Sequence, residues 1–444
     1  MSATTAEGLH GFARHKAMFA VAVAVLLSVL DYAVVNVALP RIAVSIHCSD
    51  SAAIWVVNAY QLASLILLLP VAALGDRLGH ARMCRIGLVL FVAASLACAA
   101  SRTLPELAAA RALQGFGGAC IMGVNAALIR HIYPAQILGR GIALNGLVVA
   151  LGVALGPTIA ALVLAVTTWQ WLFLINLPLG GVAFYFALTA LPTTPRIPGG
   201  FDYLSTALLA LAFGGLIIGG DRFAHESALA TSLLILGIGA VSLVMLVLRQ
   251  LDRANPLLPV DLLAGAGFRM AFLTGFTGFV ASNFFIIPMP FALMNVLHRG
   301  PVAIVVVAPF VGRLTDRYPA AALSTLGLAI TGTGFLLLRL MPPNPSDFDI
   351  AWRIFVAGAG FGLFQPPNNK AMLTTAPKSR TGSASGMISV ARLLGQTVGG
   401  MLVALVLGLV HPAPTQTCLA LAAAAAYTAA MLSASRALSP EGRG

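Results

Sequence analysis

Apolar residues in this chain come in blocks about twenty long, parted by short polar connectors, and that segmentation decides the fold class before any motif is read. A block of this length spans the roughly 30 Å hydrocarbon core of a bilayer as one α-helix. The balance of residues agrees: 59% of the 444 are hydrophobic and 9% charged, with a mean hydropathy of +0.94. Soluble domains carry about 25% charged residues. The expected fold class is therefore all-α, a polytopic helical membrane protein.

Walking the chain places spans near 17–39, 54–74, 84–101, 105–129, 141–165, 171–190, 203–220, 228–248, 269–294, 301–311, 321–341, 350–369, 382–409 and 415–435, fourteen in all. With the N-terminus inside, inner connectors hold eighteen Lys and Arg and outer ones six, while Arg111 and Arg392 lie within spans. That bias puts both termini in the cytoplasm, and the expected location is the cytoplasmic (inner) membrane. The polar N-terminus lacks a cleavage signature, so the first span is read as retained. Residues 301–311 give only about 16 Å of helix, and this tenth span is read as short or partly re-entrant. The formal charge of +12 sits in those connectors, with no basic run carrying interleaved aromatics, which argues against nucleic acid. The five cysteines lack metal or redox spacing, and no cofactor is expected.

Two inner connectors resemble each other. Leu74-Gly75-Asp76-Arg77-Leu78-Gly79 follows the second span, and Leu314-Thr315-Asp316-Arg317-Tyr318-Pro319 follows the tenth. Leu-x-Asp-Arg recurs at matched places if spans seven and eight are an inserted pair. Repeats of this kind mark transporters whose halves rock about a central site. The expected organisation is residues 1–190 as an N-terminal six-helix half, 191–268 as two linking helices, and 269–444 as a C-terminal six-helix half. Asp76, Arg77, Arg82, Asp316 and Arg317 are candidate gate residues, since a carboxylate beside arginines at a helix end can latch and release.

Asp31 is the one acid deep in a span, where a carboxylate costs roughly 2.5–3.5 kcal/mol. On a helix it shares a face with Ser28, Tyr32 and Asn36. In the fourth span Arg111 shares a face with Gln114, Gly118 and Asn125. Asp31 and Arg111 fall at similar depths below the outer surface, so the two charges can meet. Pairing favours the ionised acid and desolvation the neutral one. A balance that changes as the site faces each compartment suits a proton-coupling group, and Asp31 with Arg111 is the candidate. A static structural ion pair is the alternative.

A cavity with one carboxylate and aromatic walls suits a lipophilic cation. The candidate lining is Tyr32, Asn36, Tyr60, Gln114, Phe284, Phe285, Phe361, Phe364 and Gln365. Arg392 is also a candidate, and it favours an anion instead. Gly152 and Gly156 permit close helix approach, and Pro157 bends the fifth span.

The quoted motifs resemble those of the major facilitator superfamily, specifically its fourteen-span drug:proton antiporters. LDYAVVNVALP is similar to the first-span motif, LGDRLGHARM and GRLTDRYPAA to the loop motif of both halves, LAAARALQGFGGA to the fourth-span motif, and GVALGP to the antiporter motif. WQWLFLINLPLG, FQPPNNKAML and ARLLGQTVGG are also typical of this branch. Departures are Ala72 and Ala160-Ala161 in place of usual glycines, and the short tenth span. The resemblance implies the major-facilitator fold of two six-helix halves plus two inserted central helices. It also implies a gating role for Gly156 and Pro157, and proton-driven antiport exporting hydrophobic, cationic drugs or antiseptics from a monomer in the lipid bilayer. Alternatives on the same scaffold are transport of an amphipathic metabolite or organic anion, and a transport-defective member because of segment 295–311. An enzyme is not expected, for no catalytic cluster appears at one membrane face.

Overall fold

The computed structural model describes residues 8–194, 196, 201–225, 229–253, 256–296, 320–342, 344–377, 380–410 and 413–438. The helices are α1 (Gly11–Ile46), α2 (Asp50–Ala53), α3 (Trp55–Leu78), α4 (His80–Ala100), α5 (Leu104–Ile132), α6 (Leu138–Val166), α7 (Gln170–Leu174) and α8 (Asn176–Ala190). They continue as α9 (Tyr203–His225), α10 (Leu229–Leu251), α11 (Ala266–Ile286), α12 (Pro288–Phe291), α13 (Ala320–Arg339), α14 (Asp347–Thr375), α15 (Thr381–Leu409) and α16 (Pro414–Leu438). No strand occurs among the described residues.

Twelve helical stretches among these residues are long and apolar enough to cross a membrane. They coincide with twelve of the fourteen sequence-read spans. The span read at 350–369 exists as the 29-residue α14, but Asp349, Arg353, Gln365 and the Pro366–Pro367 pair make it too polar to count among the twelve. The short span at 301–311 lies outside the described residues, as do Asp316 and Arg317.

Local sequence explains the breaks. Thr103 and Glu106 form a capping box, each side chain accepting from the other's backbone N–H at 3.4 Å, which starts α5 and fixes the phase that carries Arg111. Pro288 cannot continue the ladder of α11, which ends at Ile286. The chain resumes as α12 and then a π-helical turn, Ala292–Val296.

In the first part of the chain α1 packs on α5, α6 and α8, while α5 packs on α3 and α4. In the last part α11 packs on α14, α15 and α16, and α13 on α14 and α16. The hairpin of α9 and α10 lays α9 against both α3 and α15. The two groups meet where α15 lies along α3 and α12 along α1. Small residues set these distances: a Cβ on Gly117 of α5 would stand 2.6 Å from the Phe91 backbone of α4, and one on Gly360 of α14 would stand 2.5 Å from that of Thr331 in α13. Helices α6 and α10 turn Leu147, Leu155, Leu162, Leu234, Val241 and Leu248 outward, the surface lipid would cover, whereas α1, α3 and α11 are mostly buried.

Candidate functional site

Asp31 sits about five and a half turns into α1. It is wholly inaccessible to solvent, as is Arg111 on α5. Arg111 Nη1 donates to Asp31 Oδ2 at 2.5 Å. The other oxygen, Oδ1, accepts from Gln114 Nε2 at 2.8 Å and from Asn176 Nδ2 at 2.7 Å. Ser95 of α4 closes the ring: its Oγ accepts from Gln114 at 2.8 Å and Asn176 at 3.2 Å, and donates to the Phe91 carbonyl at 2.7 Å. Side chains of α5 and α8 thus meet the carboxylate of α1, and α4 braces the two amides through Ser95.

Arg111 is held from other sides too. Its Nε donates to the Val56 carbonyl of α3 at 2.8 Å, and Nη1 also reaches Gln114 Oε1 at 2.5 Å. The guanidinium lies over the ring of Tyr60 at 4.4 Å, and Phe173 is 5.7 Å away. Nη2 alone has no acceptor. This is the buried pair expected from depth, and what offsets its burial is full hydrogen bonding of the acid.

A second polar group lies where the two sets of helices meet. Tyr32 Oη donates to Asn283 Oδ1 of α11 at 2.9 Å, and Asn283 Nδ2 donates to the Gln396 carbonyl of α15. Asn36 turns its amide back onto the Tyr32 carbonyl at 2.8 Å. A Cβ on Gly400 of α15 would press on Asn58 Oδ1 of α3. Buried polar atoms without a well-formed hydrogen bond gather here: Ser28 Oγ beside the Tyr60 hydroxyl, both amide atoms of Gln61 beside that of Tyr32, Asn36 Oδ1 and Asn58 Oδ1. Each such atom costs about 1–3 kcal/mol, so a cluster of them marks a place where a missing partner belongs. Arg392 is half-buried and within electrostatic reach of the Tyr32 and Tyr60 hydroxyls.

Other candidates are placed differently. Gln114, expected on the substrate wall, belongs to the Asp31 network. Phe364 packs with Leu328, Ala429 and Ala430 in the core of the last helices, and Phe361 stacks between it and Phe279, 5.5 Å from each. Phe284 is core, Phe285 lies 5.3 Å from Phe335, and Gln365 is half-buried. Asp76 bonds His80 Nε2 at 3.0 Å rather than an arginine, and Arg82 is exposed. Gly156 faces Ala33 of α1 so closely that a Cβ would overlap it, and Pro157 lies inside α6. Sequence reasoning missed Asn176 and Ser95. Asn176 stands in the quoted WQWLFLINLPLG, where an amide set between Ile175 and Leu177, deeper in the apolar run than Gln170, was the available signal.

Comparison with known proteins bears on the fold that carries this site. A family model described as Major Facilitator Superfamily matches residues 21–400 and, again, 300–443. The chain belongs to the Major Facilitator Superfamily. Membership makes it a membrane transporter of small molecules and not an enzyme. Among superfamily relatives, the Uncharacterized transporter YebQ of Escherichia coli (strain K12) is 42% identical, with all of both chains covered. Multidrug resistance protein Stp of Mycobacterium tuberculosis (strain CDC 1551 / Oshkosh) is 28% identical over 83% of this chain and 71% of its own. The inward-open structure of the xylose transporter XylE from E. coli shares the superfamily fold with a TM-score of 0.64, at 16% identity, over 94% of this chain and 95% of that one.

Proposed function

We propose that the protein is a proton-coupled antiporter exporting lipophilic small molecules across the cytoplasmic membrane, as a monomer in the lipid bilayer. In this reading residues 1–190 and 269–444 are rocking halves, 191–268 link them, and fourteen crossings leave both termini in the cytoplasm. The similarity to a multidrug resistance protein supports the cargo class.

The observation that carries the reading is the enclosed Asp31–Arg111 pair. A carboxylate with no solvent contact and three donors around it cannot exchange a proton until α1, α4, α5 and α8 part. Protonation removes the negative charge and leaves Arg111 buried without its counter-ion. Losing one partner of a buried pair costs about 3–5 kcal/mol. Proton occupancy therefore biases the protein toward a conformation in which Arg111 meets water or other acceptors, which is what coupling requires. One charge moved across 100 mV supplies about 2.3 kcal/mol, equivalent to a roughly fifty-fold concentration ratio. Because both Asp31 oxygens are engaged, its charge serves the proton rather than a cationic cargo.

The test uses proteoliposomes with an imposed pH gradient and a panel of lipophilic dyes, ethidium and fluorescein among them. Wild type is expected to accumulate at least one dye only when the gradient is present. Asp31→Asn is expected to lose gradient-driven accumulation and keep gradient-independent exchange. Unchanged gradient-driven accumulation in Asp31→Asn removes the proton role, and gradient-independent behaviour in wild type removes coupling altogether.

A further inference from the structure

We infer that the site between α1, α3, α11 and α15 takes a small molecule bearing an acidic group, a carboxylate or similar oxyanion, held by Arg392. The inference rests on the transport reading and names the chemistry of its cargo.

Charge decides first. Both oxygens of Asp31 are bonded and the residue is closed to solvent, so it offers nothing to a cation. Arg392 forms no hydrogen bond or ion pair among the described residues, and it keeps partial exposure. Depth excludes the bland reading that it reaches out to the membrane surface. Arg392 is eleven residues into the 29-residue α15, roughly 16 Å along the helix, near the middle of a hydrocarbon core of about 30 Å. A guanidinium there needs an anion or acceptor.

Direction comes next. Residues 392, 396 and 400 follow one another at four-residue steps and share a face of α15. The Gln396 carbonyl accepts from Asn283, and Gly400 meets Asn58 of α3. That face therefore looks into the junction of the two helix sets, toward Tyr32 and Tyr60.

The surroundings fit the same ligand. Gln61 is fully buried beside the Tyr32 hydroxyl with neither amide atom in a well-formed hydrogen bond, and the Ser28 hydroxyl lies in the same way beside that of Tyr60. A carboxylate accepts from a guanidinium fork and from neutral N–H and O–H donors at once, and these are the donor types present. The rings of Tyr32 and Tyr60 supply the apolar side for an amphipathic molecule. An ammonium-bearing ligand would meet a positive charge with no acid left to balance it.

Equilibrium binding to the full-length protein in nanodiscs tests this with three probes of one ring system: anthracene carboxylate, its neutral alcohol and its ammonium analogue. Wild type is expected to bind the carboxylate about tenfold or more tighter than the ammonium, the alcohol falling between. Arg392→Gln is expected to lose that preference. Arg392→Lys keeps charge without the fork and retains the preference with weaker carboxylate binding. Preference for the ammonium, equal affinities, no binding of any probe, or an unchanged order in Arg392→Gln each overturns the inference. The wild-type order stands as a test even where a variant fails to fold. Binding needs no proton gradient, so failure of gradient-driven transport falls on the Asp31 proposal alone.

Discussion

Asn176 gives a way to ask whether Asp31 is ionised in the closed arrangement. Its Nδ2 lies 2.7 Å from Asp31 Oδ1, and the residue is almost fully buried. Hydrogen bonds between helices within membranes average about 0.6 kcal/mol in double-mutant cycles, whereas a bond to a charged group is worth about 1.5–3 kcal/mol. A neutral Asp31 would strand the Arg111 charge, so the ionised acid is expected. A double-mutant cycle of Asn176→Ala with Asp31→Asn, read by thermal unfolding, is expected to give a coupling above about 1 kcal/mol. A value near zero would mean that Asp31 accepts from Asn176 no better than the neutral asparagine put in its place. The same comparison explains which site residues were legible in the sequence. Asp31 and Arg111 stand out because an ionisable group inside an oily block is expensive and needs a reason. Asn176 and Ser95 cost little on their own, and the spacing within one helix says nothing about which neighbour it faces. Aromatic residues are more ambiguous still: Phe364 reads from sequence like a cavity wall and is core, since ring chemistry suits both.

Most helix boundaries were legible to within four residues, because lipid demands an apolar length and prolines or caps punctuate it. Helix α1 runs six to seven residues past the span read at 17–39 at both ends, and α9 and α14 run five and six past theirs at the C-terminal end. The phase of one helix against another was not legible, except for α1 against α5, where the Asp31 and Arg111 charges need each other. Gly152 and Gly156 announced a close approach to α6 without naming α1 as the neighbour. A Cβ on Gly156 would overlap the Ala33 methyl, whereas one on Gly152 would meet Val29 Cγ1 at 2.9 Å and Cβ at 3.2 Å, a smaller overlap. Ala33 is two residues beyond Asp31, so displacing α1 here disturbs the carboxylate and its donors together. Gly156→Ala is expected to destabilise by about 1–3 kcal/mol and to reduce gradient-driven transport severely, while Gly152→Ala costs less on both measures. Thermal unfolding and proteoliposome transport on the two variants check the order. Equal effects would show that α6 accommodates an added methyl equally well at either position.

At the scale of the molecule, rocking transport requires that α3 and α15 separate at some point in the cycle. Their contact is tight at Asn58 and Gly400, where a Cβ on residue 400 would lie 3.2 Å from Asn58 Cγ. Replacing both residues by cysteine removes the Asn58 amide that would obstruct the new Cβ, and leaves two Cβ atoms within the 3.5–4.5 Å reach of a disulfide. Four of the five native cysteines, Cys84, Cys98, Cys120 and Cys418, are buried and free, and Cys48 lies between α1 and α2, so the single variants serve as background controls. Under oxidation Asn58→Cys with Gly400→Cys is expected to crosslink and to stop transport, and a reductant is expected to restore it. Gly400→Cys alone still meets the Asn58 amide and is expected to be the less stable protein. Transport that continues at full rate with the crosslink in place would mean these two helices stay together throughout the cycle. Substrate access would then have to open elsewhere than along their junction, and Arg392, which lies on the joined face, would no longer stand on the route.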